Sequence, residues 1–362
     1  MRILHVYKDY FPVLGGIENY IRVLAEAQTA MGHDVTVLVC APHIQTRIET
    51  RQGVTIVKAG RLATIASMPL SVAQPLALAR SQSDIVHVHS PYPLGEMANW
   101  LLGRGRATVL TYHSDVVRQR SWLRLYGPLL HRVLAKANCI IASSPRYIET
   151  STWLQPVRDK CVVVPLGIDP ARFTPSYHTH PGPLELLFVG RLRYYKGLDT
   201  LLYALNEAPD VRLTIVGDGP MHRTWQTLCH SLDLDDRVTF ANEVTDDALP
   251  DYYRQADAFV LPANARAEAF GTVLLEAMAS GLPCITTEVG TGTSWIVQHG
   301  ATGLVVPPSD PDELAIAIRT LHAGCERRIA MGRAGRARIE AEFTQSQMIA
   351  GVQAAYTKAL NA

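Results

Sequence analysis

The sequence has few of the features that mark a secreted, metal-binding or membrane-spanning protein. Its six cysteines are scattered without a CxxC pair or another metal-ligand spacing, so we expect free thiols in a reducing compartment. No apolar run reaches the ~18 residues of a membrane-spanning helix, and the apolar stretch in residues 1–12 is too short and too interrupted for a signal peptide. These absences predict a cytoplasmic protein that at most binds the inner face of a membrane peripherally.

An excess of one charge is also absent. Lys and Arg number 34 against 33 Asp and Glu, which gives a formal net charge of +1. Nucleic-acid binders usually carry a clear basic excess. No nucleic-acid partner is therefore expected.

What the sequence does contain is a regular alternation of short Val- and Ile-rich runs with longer helical patterns. This alternation predicts repeated βα units and parallel sheets. The 362 residues exceed the ~250–300 at which a single core stops growing, and the proline-rich stretch 170–184 is typical of a linker. The predicted fold is α/β, with two Rossmann-like domains facing each other across a cleft.

The predicted boundaries follow from this pattern. We expect an N-terminal domain at 1–172, a linker at 173–184, a C-terminal domain at 185–342, and a last helix at 343–362 that can pack on the N-terminal domain. Strands are predicted at 3–7, 34–40, 54–59, 84–90, 108–113, 139–144, 162–167, 185–190, 212–217, 237–242, 258–263, 283–288 and 303–308. Ligands of such sheets bind beyond the carboxyl ends of the strands, so the residues that follow the strands are the candidates for a site.

Two glycine-containing loops follow predicted strands. Gly15 and Gly16 come just before a helix, where backbone N–H groups can approach an anion, although a plain turn explains a glycine pair equally well. The second loop contains Gly217, Asp218 and Gly219, but His222 stands where the dinucleotide fingerprint requires a third glycine. NAD is therefore poorly supported.

A basic loop follows the first strand of the second half. It runs from Gly190 to Gly197 and contains Arg191 and Lys196. Arginine can bind two phosphate oxygens and lysine supplies a point charge. The loop can bind a diphosphate, or it can be an ordinary solvated surface.

The sharpest pattern is a pair of glutamates, Glu268 and Glu276, around a predicted helix start. Carboxylates accept hydrogen bonds from paired hydroxyls, and the backbone N–H groups of Phe270, Gly271 and Thr272 would face an anion at that helix start. Glu276 lies in an otherwise apolar segment, where an unpaired carboxylate is costly to bury. This position favours a functional role over a solvated one.

A histidine, His113, ends a strand predicted in the first half, two residues before Asp115. A lone histidine at a strand end is more often structural. Its predicted position on the cleft side also allows a hydrogen bond to a sugar hydroxyl near the reacting carbon.

Together these residues resemble the GT4 family of retaining glycosyltransferases, which have the GT-B fold. The likeness covers nearly the whole chain in the expected order, and its most specific part is the glutamate pair followed by AMASGLP at 277–283. The segment Gly290–Ser294 matches a subset of bacterial members that build surface polysaccharides, while Asn242 and Ala263 stand where many members have glycine and serine. The resemblance implies transfer of a hexose from a nucleotide-diphosphate sugar to a hydroxyl acceptor. It also implies that the domain at 1–172 is the acceptor side and that the domain at 185–342 binds the nucleotide sugar.

The resemblance also implies roles for the candidate residues. Gly16, beside Gly15, approaches the donor phosphates, and Arg191 with Lys196 binds the diphosphate and stabilises the leaving nucleotide. Glu276 binds the ribose hydroxyls. The transferred sugar is held by Glu268 and the backbone of 270–272 and contacted by His113 near its anomeric carbon, while the base side is formed by Gly217, Asp218, Glu243 and Val244.

No metal or other cofactor is expected. Of the two Asp-x-Asp spellings, Asp233–Asp235 lies at a predicted helix end and Asp310–Asp312 at a predicted helix start, so neither has the strand-end position of a metal-binding motif. The alternatives are a sugar-nucleotide epimerase or hydrolase of the same fold, and a non-catalytic nucleotide-sugar-binding protein. The donor, GDP-mannose or UDP-glucose, and the acceptor, lipid-linked or a polysaccharide precursor, remain open.

A basic amphipathic segment at 118–136 suggests one more partner. It contains five basic residues and no acid, with Trp122, Tyr126 and several leucines interleaved. Such a segment can lie on an anionic bilayer, and it can equally be a surface helix with its apolar face in the core.

Overall fold

The structure is a computed structural model of the chain. It describes residues 1–13, 15–65, 68–115, 120–177 and 182–362, with the backbone alone for 120–125. The chain divides into two compact units: unit 1 contains residues 1–165 and 348–362, and unit 2 contains residues 166–347.

Unit 1 is built on one large sheet. Its strands are β1 (Arg2–Val6), β2 (Asp34–Cys40), β3 (Arg47–Arg51), β4 (Val54–Ala59), β5 (Ala63–Ile65), β6 (Met68–Leu70), β7 (Ile85–Ser90), β8 (Ala107–Tyr112), β9 (Cys139–Ala142) and β10 (Cys161–Val163). The order in the eight-stranded sheet is β10-β9-β8-β7-β1-β2-β4-β3, and β5 pairs with β6 alone. All neighbours in the large sheet are parallel except β3 and β4.

Helices connect these parallel strands, as parallel pairing requires. They are α1 (Gly16–Ala30), α2 (Ala73–Arg80), α3 (Pro93–Leu102), α4 (Arg120–Lys136) and α5 (Pro145–Thr150). Two of them begin with proline at the first helical position, where the missing N–H costs nothing. All six side chains of β7 are buried, which is expected for a central parallel strand.

Unit 2 contains a second parallel sheet. Its strands are β11 (Leu184–Val189), β12 (Val211–Val216), β13 (Val238–Asn242), β14 (Ala258–Leu261), β15 (Cys284–Thr287) and β16 (Gly303–Val306), in the order β13-β12-β11-β14-β15-β16. Its helices are α6 (Leu198–Asn206), α7 (His222–Ser231), α8 (Leu249–Gln255), α9 (Thr272–Ala279), α10 (Thr293–Ile296), α11 (Pro311–Ala323) and α12 (Cys325–Glu342). The strand order reverses between β11 and β14, and this is the point where ligands bind in doubly wound sheets.

The last helix, α13 (Gln345–Leu360), belongs to unit 1 from Met348 onward. There the buried Tyr356 hydroxyl lies 3.1 Å from Nε2 of Gln28 on α1 and 2.7 Å from Nδ1 of His87 on β7. Buried polar groups are stabilising only when they are paired. The tyrosine therefore ties the end of the chain to the central sheet of this unit.

The predicted α/β class with two Rossmann-like units is confirmed. Four short or exposed elements were not predicted from the apolar pattern, and the reason is clear for each. All five side chains of β3 are exposed, so RIETR shows no apolar face. The hairpin strands β5 and β6 have three residues each and α10 has four, which is too short for a periodic pattern. The first unit therefore carries an edge strand that apolar periodicity cannot detect.

The structure also bears on the predictions for the cysteines, for one helix N-cap and for membrane-spanning helices. All six cysteines are free, four of them buried, with Cys161 and Cys325 half-buried. The Asp310 side chain accepts a hydrogen bond from the N–H of Glu313, which confirms the predicted helix N-cap. Among the described residues, the longest apolar helices fall short of what a membrane crossing needs.

The basic segment 118–136 is only partly covered. Residues 118 and 119 lie outside the described residues, and α4 begins at Arg120. In the described second half of the helix, Leu130, Val133 and Leu134 are buried in the core of unit 1, while Arg132 is exposed. That half of α4 is an amphipathic helix whose apolar face is already covered.

Candidate functional site

The strand reversal in unit 2 brings two loops together. The loop after β11 ends in a 3₁₀ turn at Tyr194–Lys196 and in Gly197, whose φ is +68°. A Cβ at Gly197 would lie 2.0 Å from the carbonyl oxygen of Pro262, in the loop after β14. Only glycine fits this approach and this conformation, so the glycine holds the basic loop against the loop that carries Glu268.

Lys196 and Glu268 meet at this junction. The Lys196 ammonium lies 2.6 Å from Glu268 Oε2, and the two side chains are 10% and 11% exposed. The Thr291 hydroxyl donates to the backbone oxygen of Glu268 at 2.7 Å, and the N–H of Asn264 donates to Tyr195 at 2.9 Å. The contact is therefore a buried ion pair on loops that are fixed by hydrogen bonds on both sides.

Such a pair can exchange partners with a polar ligand. An incoming diphosphate offers Lys196 a stronger negative charge than one carboxylate, and a ligand hydroxyl can donate to Glu268 in return. Because the pair is buried, its attraction is screened far less than that of a surface pair. The two residues thus form a ready site for a group that carries phosphate and hydroxyls together.

The start of α9 lies in the same loop as Glu268. Gly271 is the N-cap, with φ of +84°, and the N–H groups of Phe270, Gly271 and Thr272 donate no hydrogen bond to any atom in the described part of the chain. The Phe270 side chain itself is buried and packs near Phe343, with ring centroids 6.4 Å apart. The aromatic ring is structural, and the free N–H groups are what this turn offers to an anion or an oxygen.

Glu276 lies in the second turn of α9 and is half-buried. The Tyr253 hydroxyl donates to its Oε2 at 2.8 Å. Burial raises the pKa of Glu276 to about 7, against the lowering effects of the Tyr253 hydrogen bond and of the Arg172 charge. The carboxyl group is thus poised between its neutral and ionised forms near neutral pH.

Arg191 follows β11 directly and is exposed. It forms no ion pair with a described residue, and its charge helps to lower the pKa of Asp218. The Asp218 carboxylate itself accepts from the His222 ring at 2.8 Å and from the Gly219 N–H at 2.7 Å, and these two bonds are the main causes of its lowered pKa. Arg191 is therefore available to a ligand, whereas Asp218 already has protein partners.

The predicted base side is formed by the loops after β12 and β13. The Gly217 N–H donates to the carbonyl oxygen of Asn242 at 2.7 Å, and Val244 is half-buried against the core. Asn242 has φ of +60°. Asparagine is one of the few residues that tolerate this left-handed conformation, which explains how it replaces the glycine of many family members.

In unit 1, His113 follows β8 and is half-buried. Its backbone N–H donates to the backbone oxygen of Ser90, and its ring atom Nε2 lies 3.1 Å from Nδ1 of His89. Burial lowers the pKa of His113 to about 3, so the ring is neutral. The nearby Asp115 carboxylate accepts from Tyr112 at 2.9 Å and from Ser151 at 3.0 Å, so its hydrogen bonds do not involve the histidine.

The glycine pair lies at the start of α1. Gly15 is the N-cap in an extended conformation, and a Cβ there would meet the Glu18 carboxylate at 2.2 Å. A Cβ at Gly16 would meet no described atom within 4 Å. The first turn of α1 is thus open at Gly16.

Four neighbours of the candidate residues were not predicted from the sequence. They are Tyr253 and Arg172 beside Glu276, Thr291 behind Glu268, and His89 behind His113. Only His89 had a sequence signal, because it forms a His-x-His pattern with His87 on a predicted strand and alternate residues share one face of a strand. Thr291 lies in the family-matching segment Gly290–Ser294, but no local pattern predicts its contact with Glu268. Tyr253 and Arg172 are distant in sequence from Glu276.

Comparison with known proteins identifies the family of the chain. The pattern of the family described as glycosyl transferases group 1 matches residues 174–338, and that of glycosyltransferase family 4 matches residues 14–172. The chain is 37% identical over 354 residues to the D-rhamnosyltransferase WbpZ of Pseudomonas aeruginosa, covering 95% of this chain and 92% of that protein. It is 34% identical over 369 residues to the O-antigen chain mannosyltransferase C of Escherichia coli, covering 99% of each.

A solved structure shows the same fold. Sucrose-phosphate synthase from Thermosynechococcus elongatus superimposes with a TM-score of 0.83 at 24% identity, covering 99% of this chain and 98% of the other. Since the family patterns divide the chain between them and two relatives exceed 30% identity over nearly its whole length, the chain belongs to the GT4 family of glycosyltransferases, with the GT-B fold and with relatives that build bacterial surface polysaccharides.

Proposed function

We propose that this protein is a retaining hexosyltransferase that moves a mannose-type hexose from a nucleotide-diphosphate sugar to a hydroxyl acceptor. The observation that carries the proposal is the buried Lys196–Glu268 pair beside the free N–H groups at the start of α9. The two relatives named above are a D-rhamnosyltransferase and a mannosyltransferase, and D-rhamnose is 6-deoxymannose. GDP-mannose is therefore the first donor to test and UDP-glucose the second.

Each candidate residue has a proposed role. Lys196 and Arg191 bind the diphosphate and stabilise the charge of the leaving nucleotide, because cations already in place need no rearrangement during the reaction. Glu268 accepts hydrogen bonds from the transferred sugar, and Glu276 accepts them from the ribose. His113, Gly15 and Gly16 are proposed to contribute further donor contacts, and Gly217, Asp218 and Val244 to line the base.

The reaction requires charge stabilisation rather than a covalent intermediate. As the bond to the anomeric carbon breaks, the sugar becomes oxocarbenium-like and the diphosphate gains negative charge. We propose that the acceptor hydroxyl attacks from the same face and passes its proton to the departing phosphate, so the configuration is retained. Two cations and a helix start can balance the diphosphate charge without a metal.

The proposed acceptor is a lipid-linked or polysaccharide-precursor glycan. The relative from E. coli is an O-antigen chain enzyme, and such a role requires a hydroxyl-bearing glycan as substrate. A sugar-nucleotide epimerase or hydrolase of the same fold would turn over the donor without any acceptor, and a non-catalytic binding protein would not turn it over at all.

The transfer assay separates these possibilities. GDP-mannose and UDP-glucose are each incubated with hydroxyl-bearing glycan acceptors, with and without EDTA, and the anomeric configuration of the product is determined by NMR. We expect an α-linked product from one α-linked donor at the same rate in EDTA. A β-linked product, donor loss without an acceptor, or loss of turnover in EDTA would each contradict the corresponding part of the proposal.

The pKa of Glu276 predicts how nucleotide binding depends on pH. A carboxyl with a pKa near 7 in the free protein is largely protonated below that pH, and the ionised form accepts stronger, charge-assisted bonds from the ribose hydroxyls than the neutral form does. The affinity for GDP or UDP should therefore fall as the pH drops from about 8 to about 6, by up to about tenfold per unit below 7.

The control for this pH dependence uses the same phosphates. A 2′,3′-dideoxynucleoside diphosphate titrates identically at its phosphates and lacks the diol. The pH dependence of its affinity should therefore lack the contribution of Glu276. Glu276→Gln should remove the same part of the dependence for the natural nucleotide. An identical pH profile for both nucleotides in the wild type would exclude Glu276 from ribose binding.

We also propose that the basic segment 118–136 binds an anionic membrane surface near a lipid-linked acceptor. Each lysine or arginine near such a surface contributes about 1 kcal/mol. Sedimentation with vesicles should therefore increase with their anionic lipid content, and Arg132→Glu, at an exposed position of α4, should weaken it. Arg223→Glu, at an exposed position of α7, is the matched control. Binding that is independent of anionic lipid would contradict this proposal.

A further inference from the structure

Behind His113 lies a continuous chain of hydrogen bonds between buried side chains of unit 1. From Nε2 of His113 it passes to His89 Nδ1 at 3.1 Å, and from His89 Nε2 to His5 Nδ1 at 3.1 Å. His5 Nε2 lies 2.8 Å from Oε1 of Gln28. Two buried imidazoles, those of His89 and His5, thus connect His113 to an amide in the core, and neither has a role in the family resemblance described above.

The chain of hydrogen bonds continues on the other side of Gln28. The amide Nε2 donates to the Tyr356 hydroxyl at 3.1 Å, which lies 2.7 Å from His87 Nδ1, and His87 Nε2 lies 2.6 Å from the Thr111 hydroxyl. Gln28, His5, His87 and His89 are fully buried. Every polar side-chain atom of these four residues therefore has a partner, as a buried network requires.

The sheet register explains why these side chains meet. His5 on β1 is directly opposite His87 on β7, and His89, two residues further along β7, shares the same face. His89 is opposite Thr111 on β8, and His113 follows two residues later. The strand period thus aligns four histidines across three neighbouring strands.

His5, His87 and His89 could also be considered as metal ligands, since one nitrogen from each lies within 4.8 Å of the others. In this structure all six of their ring nitrogens have hydrogen-bond partners. A metal ion would have to displace several of these bonds. The geometry favours the hydrogen-bond chain.

Gln28 sets the direction of the protons along the chain. Its carbonyl oxygen can only accept, so His5 must carry its proton on Nε2. A neutral His5 then offers a bare Nδ1, which requires a proton on Nε2 of His89. His89 then has a bare Nδ1, and this atom requires a proton on Nε2 of His113. The reversed amide would reverse every tautomer, so the orientation of Gln28 determines the whole set.

The surroundings keep these rings neutral. Burial lowers the pKa of His5 to about 4 and that of His113 to about 3. Burial, together with the charges that the neighbouring imidazoles would carry, also lowers the pKa of His87 and His89 well below the usual imidazole value. The side chains that face these imidazoles are Gln28 and Tyr20 of α1, Tyr7 after β1, Thr111 of β8 and Tyr356 of α13. All of these are uncharged near neutral pH.

We propose that Gln28, through His5 and His89, is a positioning device that fixes His113 as a neutral ring with Nε2–H directed inward and the Nδ1 lone pair free. Nδ1 of His113 makes no hydrogen bond within the described residues. This inference rests on the proposed function, in which His113 contacts the donor sugar. A free lone pair accepts a hydrogen bond from a sugar hydroxyl, and a neutral ring avoids repelling the positive charge that develops on the sugar.

The test reads the tautomers directly. The full chain, which contains 13 histidines, is labelled with ¹⁵N in the imidazoles, and two-bond ¹H–¹⁵N spectra report which nitrogen of each ring carries the proton. Single histidine substitutions assign the signals. We expect His5, His89 and His113 as Nε2–H tautomers down to about pH 5, below the usual imidazole pKa of about 6.5. Nδ1–H tautomers, a mixture, or protonation of these rings near pH 6 would overturn the proposal.

The coupling is tested with Gln28→Leu, which is nearly isosteric and removes both ends of the amide. Because His5 Nε2–H loses its acceptor, His5, His89 and His113 should shift together toward the Nδ1–H form. Gln74→Leu removes another buried glutamine of the same unit, bonded to Tyr7 and Tyr92, and should leave the three tautomers unchanged. A change at His5 without one at His113, or no change at all, would overturn the coupling.

A metal site gives a distinct result in the same spectra. Adding Zn²⁺ alone should leave the imidazole signals of His5, His87 and His89 in place. Saturable shifts of these signals would overturn the hydrogen-bond chain. The wild-type spectra test the proposal even if Gln28→Leu does not fold.

Activity separates this inference from the function on which it rests. Gln28→Leu should lower turnover about tenfold, the scale of one lost hydrogen bond to the sugar, with the affinity for GDP or UDP unchanged. If the tautomers shift together and turnover is unaffected, His113 does not contact the sugar and its proposed role is wrong. If His113→Ala lowers turnover while Gln28→Leu changes no tautomer, the role of His113 stands and the positioning chain is overturned.

Discussion

The ion pair between Lys196 and Glu268 constrains the rest of the C-terminal site. It joins the loops that follow β11 and β14, the two neighbouring strands where the order of the sheet reverses. Removing one partner of a buried pair leaves the other charge without compensation and costs about 3–5 kcal/mol. The free protein therefore keeps both charges, and a ligand can take one partner only by supplying a substitute for the other. A donor with both phosphate and hydroxyl groups does this.

The backbone around the pair is arranged so that its side chains have little freedom. Gly197 lets the basic loop approach Pro262, and Thr291 holds the backbone of Glu268. Gly271 turns the chain so that α9 begins with free N–H groups in the same loop. Groups that are already in place before the substrate arrives stabilise a developing charge without a reorganisation cost. The loop sequence from 262 to 272 is thus constrained as a unit.

The sequence predicted the parts of this arrangement that depend on local periodicity. Apolar alternation located most of the strands, and residues that follow strands of a parallel sheet gather at one edge, so Arg191, Lys196 and Glu268 were predicted to lie near that edge. Contacts between segments that are distant in the sequence could not be predicted in this way. Tyr253 meets Glu276 across 23 residues and His5 meets His89 across 84, and no local spacing encodes either pairing. The edge strand β3 was missed because its exposed side chains show no apolar face.

The most direct test asks whether the buried pair is a binding site or only a link between loops. Isothermal titration compares GDP and UDP binding to the wild type, Lys196→Met and Glu268→Gln, with Arg328→Met as the control for a buried pair elsewhere in unit 2. The account predicts that Lys196→Met weakens binding of one nucleotide about tenfold or more, the scale of a charge-assisted hydrogen bond. It also predicts that Glu268→Gln binds that nucleotide at least as tightly as the wild type, since Lys196 loses its competitor, and that Arg328→Met changes nothing. Unchanged affinity in Lys196→Met would contradict the account and leave the pair a structural contact.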